Sequence, residues 1–177
     1  MKTAGELPFG QVPCLVITAA DGTTTKLAQS SAILRYVCQL SGLYPADPVA
    51  AARVDASVAA EGDAFASFVA VSYPARNGLD HLDAAALAEA FERQRGEVLP
   101  RHFGHLERAL ADSATGWVCG TPVPSPADFA WGTHLFDVRA NAVANLPADA
   151  LAPFPRINAF LNKFLALAEV KKYYELP

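Results

Sequence analysis

The chain has 177 residues, 52% of them hydrophobic, and its 14 Lys and Arg against 18 Asp and Glu leave a net charge of -4. This is enough apolar content for a buried core in one ordinary domain or two small packed ones, and the acidic balance argues against nucleic acid as the main partner, because phosphate binding needs a basic face. The first residues hold no apolar run of the kind a secretion signal needs, and no stretch reaches the roughly eighteen apolar residues of a membrane span, so a cytoplasmic setting is expected.

Cys14 to Thr18 (CLVIT) is short, apolar and rich in β-formers; Asp21-Gly22 is a turn signal, and residues 23–27 supply a second short run, which predicts a hairpin. From Ser30 the spacing of Ile33, Leu34, Val37, Cys38 and Leu40 predicts a helix stopped at Gly42 and Pro45. Beyond Pro48 the pattern is helical throughout, with helices predicted over about 48–73, 83–111, 126–141, 154–165 and 167–174. The expected fold class is therefore α+β. A ββα block over residues 1–45 precedes a five-helix block over 46–177, divided near Tyr44 to Pro48.

Three patterns carry chemistry. Phe9-Gly10-Gln11-Val12-Pro13 leads into the first strand, where a proline cannot donate to a ladder and where an X-Pro bond is the one place a cis peptide is cheap. A cis bond there would turn the Val12 backbone outward for a peptide ligand to pair with, whereas a trans proline would merely open the strand. Gln29-Ser30-Ser31 stands where the second strand meets the helix. With Ser30 as N-cap, the first-turn N–H groups and the positive end of the helix dipole would accept a carboxylate, to which Gln29 adds a side-chain amide. Ser125-Pro126-Ala127-Asp128 reads as a capping box ahead of an apolar run, which makes Asp128 a folding element and not a catalytic acid.

The combination of LPFGQVPCL, a hairpin and LAQSSAILRYV resembles the glutathione transferase family, closest to its sigma-like, Tyr-type classes, and Trp117-Val118-Cys119-Gly120 ahead of the Ser125–Asp128 box resembles the lead-in of that family's helical domain. The resemblance implies a partial thioredoxin-like, glutathione-binding domain (hairpin plus helix) followed by an all-helical domain. It implies that Val12 and Pro13 face the cysteinyl backbone of glutathione, that Gln29 and Ser30 hold its γ-glutamyl carboxylate, and that Gln11 stands near the glycine carboxylate. It also implies a homodimer, with glutathione as co-substrate, a small electrophile as second substrate and no metal. The second-substrate pocket is expected around Phe65, Phe68 and Tyr73, with Tyr173-Tyr174 at its mouth. The acidic residue that reaches across the dimer in this family is expected at Ala59, with Glu61 and Asp63 nearby.

Met1-Lys2 resembles an internal stretch of longer relatives, so the β-α-β unit that carries the thiol-activating Tyr, Ser or Cys is expected to be missing and conjugation to be impaired. Cys14 and Tyr36 read as packing residues and not as substitutes. Cys14, Cys38 and Cys119 are too few and too scattered for a disulfide framework or a zinc site. His81, His102, His105 and His134 read as surface or interface residues. The alternative function is a non-catalytic docking module of the same fold, as in translation factors and tRNA synthetases.

Overall fold

The structure is a computed structural model that describes residues 7–140, 146–147 and 149–176, with the backbone alone at Ser67. Residues 1–6 of the expected first block and position 141 of the third predicted helix in the second block lie outside the described residues. Strands β1 (Cys14–Thr18) and β2 (Thr24–Ala28) pair antiparallel, with Cys14 opposite Ala28 and Thr18 opposite Thr24. The second strand starts one residue later than expected because Asp21 Oδ1 accepts from both the N–H (2.9 Å) and the hydroxyl (2.7 Å) of Thr23, holding it in the turn. Gly22 turns the chain at φ +83°, which a Cβ would oppose.

Helix α1 (Ser30–Leu40) follows at once and buries Cys38, leaving Val37 and Leu40 on the outside. It ends as expected at Gly42, where the Leu43 N–H returns to the Cys38 carbonyl at 2.8 Å. Helix α2 (Pro48–Ser72) starts with Pro48 in its first turn and the Asp47 carboxylate accepting from Ala50 N–H at 2.7 Å. Val54, Val58, Glu61, Phe65 and Phe68 recur on α2 at three- and four-residue intervals and are all buried, so this stripe is the face that meets the rest of the helices.

The helix predicted over 83–111 is instead two, α3 (Ala84–Arg93) and α4 (Leu99–Ala111), joined by a π-type turn over Gln94–Val98. Pro100 is the cause: it has no N–H for the Gly96 carbonyl, and its ring cannot share space with that carbonyl, so the chain widens before it. A short 3₁₀ turn, Pro74–Asn77, precedes α3. Helices α5 (Pro126–Arg139), α6 (Pro155–Leu165) and α7 (Ala168–Tyr173) complete the order, so the described residues of the second block hold six α-helices where five were expected.

The core lies among α2, α4, α5 and α6, where Phe103, Leu99, Leu135, Ile157, Leu161 and Phe164 are at most 1% exposed. Each such side chain contributes about 1.5–3 kcal/mol by leaving water. The hairpin and α1 stand outside this core. Their polar tie to α2 is Asp55, whose Oδ1 accepts from Arg35 Nε of α1 at 2.5 Å and whose Oδ2 accepts from the Tyr44 hydroxyl at 2.9 Å. Among the described residues no helix is long and apolar enough to cross a membrane.

Candidate functional site

A cleft of about 520 Å³ opens where the start of α1 faces α2 and α5. Gln29, Ser30, Ser31 and Leu34 form one wall; Val58 and Glu61 of α2 with Phe129, Ala130, Thr133 and His134 of α5 form the other.

The first wall owes its shape to one backbone angle. β2 gives way to α1 with no intervening loop, and the chain makes the corner at Gln29, which sits at φ +74°, ψ +115°. A side chain in that region costs roughly 1–3 kcal/mol. Gln29 is the N-cap; its carbonyl accepts from Ala32 (3.0 Å) and Ile33 (2.9 Å), and Ser30, expected as the cap, is instead the first helical residue. The corner takes the cap position away from Ser30, and no side chain caps α1. Its first turn therefore presents N–H donors and the positive end of the dipole to the cleft, with no acidic residue there to neutralise them.

Gln11, Val12 and Pro13 are not among the residues lining the cleft; Pro13 directly precedes Cys14, which pairs with Ala28, the neighbour of Gln29 in sequence. The Val12–Pro13 peptide is cis, and Val12 is 66% exposed.

The second wall differs from the aromatic pocket expected from sequence. Phe65 is buried with its ring on His134 (centroids 4.5 Å apart), Phe68 is buried edge-on to Phe91 (5.8 Å), and Tyr73 lies exposed beyond the end of α2. The stripe that carries both phenylalanines faces the helical core, which is why they are core and not lining. Tyr173 is exposed and Tyr174 packs on Phe136 at 4.2 Å, and neither is among the residues lining the cleft.

What the wall does contain is a polar pair that sequence reasoning passed over. Glu61, 8% exposed on the apolar stripe, turns its buried Oε1 to Nδ1 of His134, whose side chain is 47% exposed, in keeping with the surface or interface position expected for it. Burial depresses the imidazolium, but the hydrogen bond to Glu61, the charge of Glu61 and that of Asp137 together outweigh it and raise its pKa above the ordinary histidine value. The available signal was an acid in step with Val54, Val58 and Phe65. Ala59 is exposed and carries no such group.

Elsewhere, Asp128 is fully buried and accepts from the N–H groups of Ser125 and Val118 (both 2.7 Å) and from the Ser125 hydroxyl (2.8 Å), tying the start of α5 to the preceding loop. All three cysteines are free; burial pushes the Cys119 thiol up to about 11 and that of Cys38 upward. His102 and His105 stack edge to face at 6.0 Å on α4, and His81 contacts the Gly78 carbonyl at 3.2 Å. Among the described residues no three His, Cys, Asp or Glu side chains converge as metal ligands.

A strand hairpin feeding a helix whose N-terminus faces an all-helical domain defines a class of two-part, thioredoxin-like proteins, and comparison with known proteins narrows it. Residues 73–176 match the family model "Glutathione S-transferase, C-terminal domain". The chain is 31% identical to a glutathione S-transferase of Gallus gallus, covering 99% of this chain and 71% of that protein, and 30% identical to glutathione S-transferase alpha-3 of Rattus norvegicus with the same coverage. Its fold matches that of prostaglandin synthase D of Nilaparvata lugens with a TM-score of 0.77 at 22% identity, over 96% of this chain and 75% of that one. The chain belongs to the glutathione S-transferase family.

Proposed function

We propose that this chain is a glutathione transferase that binds glutathione at the start of α1 and joins its thiol to a small electrophile held against α5. In this reading the γ-glutamyl carboxylate lies on the first-turn N–H groups of α1, with Gln29 and Ser30 adding side-chain donors. The cysteinyl backbone pairs with Val12 ahead of Pro13, and Gln11 reaches toward the glycine carboxylate. The electrophile occupies the part of the cleft walled by Phe129, Ala130 and His134. Sulfur attacks as the thiolate, so any donor near it that favours the anion raises the rate. No metal takes part, the free thiols fit a reducing cytoplasm, and the working form is a homodimer.

The observation that carries the reading is Gln29. A residue other than glycine held at φ +74° against its own preference, at the head of an uncapped helix facing a cleft, marks a backbone kept for a ligand. The test is retention on glutathione-agarose with elution by free glutathione, together with turnover of a chromogenic nitroaryl halide. Retention lost on Ser30→Ala combined with Gln29→Ala, in a variant that still melts cooperatively, supports the site. Absence of retention and turnover in the unaltered chain overturns the proposal and leaves the docking-module reading standing.

A further inference from the structure

We propose that a second cavity, apart from the cleft, binds a free α-amino acid with an aliphatic side chain, its carboxylate on Arg53 and its ammonium on Asp112. The cavity, of about 330 Å³, opens where α2, the end of α4 and the loop ahead of α5 come together. It shares no lining residue with the cleft, and the inference does not rest on the transferase reading.

Two opposite charges that do not meet lead to it. Arg53 of α2 and Asp112 at the end of α4 both line this cavity. Among the described residues neither side chain is in a hydrogen bond or an ion pair, with the other or with any third residue. The acid closest to Arg53 in sequence, Asp55, is taken up by Arg35 and Tyr44, and Arg108, one turn before Asp112, does not pair with it. A guanidinium and a carboxylate that face one cavity, too far apart to bridge each other, are both matched by a ligand that carries the two complementary charges on a short frame. An ion of one sign satisfies one of them and meets the other as a like charge.

The surroundings favour the same orientation. α4 ends at Ala111 with Asp112 as its C-cap and Ala109 in the cavity wall, so the negative end of its dipole lies on the side where the ammonium binds. Ser57 stands one turn after Arg53 on α2; its Oγ accepts from Trp131 Nε1 at 3.2 Å and keeps its own hydrogen to donate to the ligand carboxylate. Val118 and Ala109 are apolar, burial keeps the Cys119 thiol protonated, and the Ser113 hydroxyl is already spent on the Trp117 carbonyl at 2.6 Å, which suits an aliphatic side chain. A ligand so held spans from α2 to the end of α4.

The experiment titrates the full chain with L-valine, with 3-methylbutanoate, which lacks the ammonium, and with isobutylamine, which lacks the carboxylate, and follows the backbone amide shifts. L-Valine is expected to saturate with a Kd of about 1 mM, within reach of two charge-assisted contacts, and to shift the amides of Asp112, Ser113 and Cys119. Each analogue, and L-valine on Arg53→Gln or Asp112→Asn, is expected to bind about tenfold to a hundredfold more weakly, the loss of one such contact. Both side chains are exposed, so the variants should fold, and the analogues read the same contacts on the unaltered chain with no substitution at all. Either analogue binding as tightly as L-valine, an unchanged Kd in either variant, shifts centred on Gln29–Ser31, or no saturable shift overturns the inference. None of these outcomes touches retention on glutathione-agarose, which tests the transferase reading separately.

Discussion

Gly132 of α5 lies so close to the ring of Phe164 in α6 that a Cβ placed on the glycine would come within 2.6 Å of ring Cδ1. Phe164 cannot swing aside freely, since its ring is packed edge-on against Phe129 at 5.7 Å and stacked with Phe160 at 6.3 Å. In an exposed helix, replacing Gly by Ala stabilises by about 1 kcal/mol. Here overpacking reverses the sign: Gly132→Ala is expected to destabilise by about 1–3 kcal/mol, lowering the urea midpoint without changing the slope. A midpoint equal to or above that of the unaltered chain would show that α5 and α6 can separate at no cost.

Gln29 sets stability against binding. Glycine adopts φ +74° without a Cβ clash, so Gln29→Gly removes strain but adds freedom to the unfolded chain worth about 0.5–1 kcal/mol. The expected result is a stability equal to the unaltered chain or higher by up to about 1 kcal/mol, with glutathione affinity reduced because the amide donor is gone. Calorimetric titration and thermal melting together check it. Lower stability with unchanged affinity would contradict both halves.

Asp128 yields a pH-dependent prediction. Burial raises its pKa above the ordinary carboxylate value, against the N–H groups of Val118 and Ser125 and the Ser125 hydroxyl, which favour the anion. Because the folded state holds the proton more tightly than the unfolded chain, the stability linked to protonation is fully present below the unfolded pKa and is lost as pH rises through the folded one. Asp128→Asn has no such titration, so the stability difference between the unaltered chain and this variant should shrink from pH 3.5 upward. Asp128→Ala, which strands two buried N–H groups and cannot titrate either, should cost about 3 kcal/mol at pH 3.5, a cost that shrinks with rising pH in step with that of Asp128→Asn. Urea titrations of all three across that range decide; a difference that grows with pH would mean that the hydrogen bonds, and not burial, govern this carboxylate.

Where local chemistry sets the structure, it was legible in the sequence. Asp21-Gly22 makes its own turn, Ser125–Asp128 caps its own helix, and the Gly42 stop closes α1. The break at Gln94–Val98 was harder to see, because Leu87, Phe91, Val98 and Leu99 keep an apolar spacing across it; Pro100 was the one local clue. For the cleft, the segment at Gln29–Ser31 could be picked out because it is continuous in sequence. The opposite wall could not. An apolar period tells that Phe65 and Phe68 face inward but not whether they meet a neighbour helix or a ligand, and Glu61 and His134 become partners only when α2 packs on α5.

The same non-local logic governs α6, which has no cap of its own: Phe154 at its N-cap position offers no acceptor, and Pro155 occupies the first turn. Glu107 of α4 supplies what is missing. Its Oε1 accepts from Arg156 N–H and its Oε2 from Ile157 N–H, both at 2.9 Å, while Arg156 Nη1 stands 3.6 Å from Oε1. Two orphan donors and the positive end of the dipole thus meet one carboxylate, 16% exposed, from another helix. Glu107→Ala should cost about 2 kcal/mol, near the upper end for loss of a cap. Glu107→Gln, which keeps one acceptor oxygen but loses the charge, should cost about half as much. Because α6 carries Phe160 and Phe164 into the core behind Phe129, hydrogen exchange in Glu107→Ala should quicken first at Ile157 and its neighbours and then across α5. Exchange that quickens in α4 alone, with α6 unchanged, would show that the carboxylate is not what holds the start of that helix.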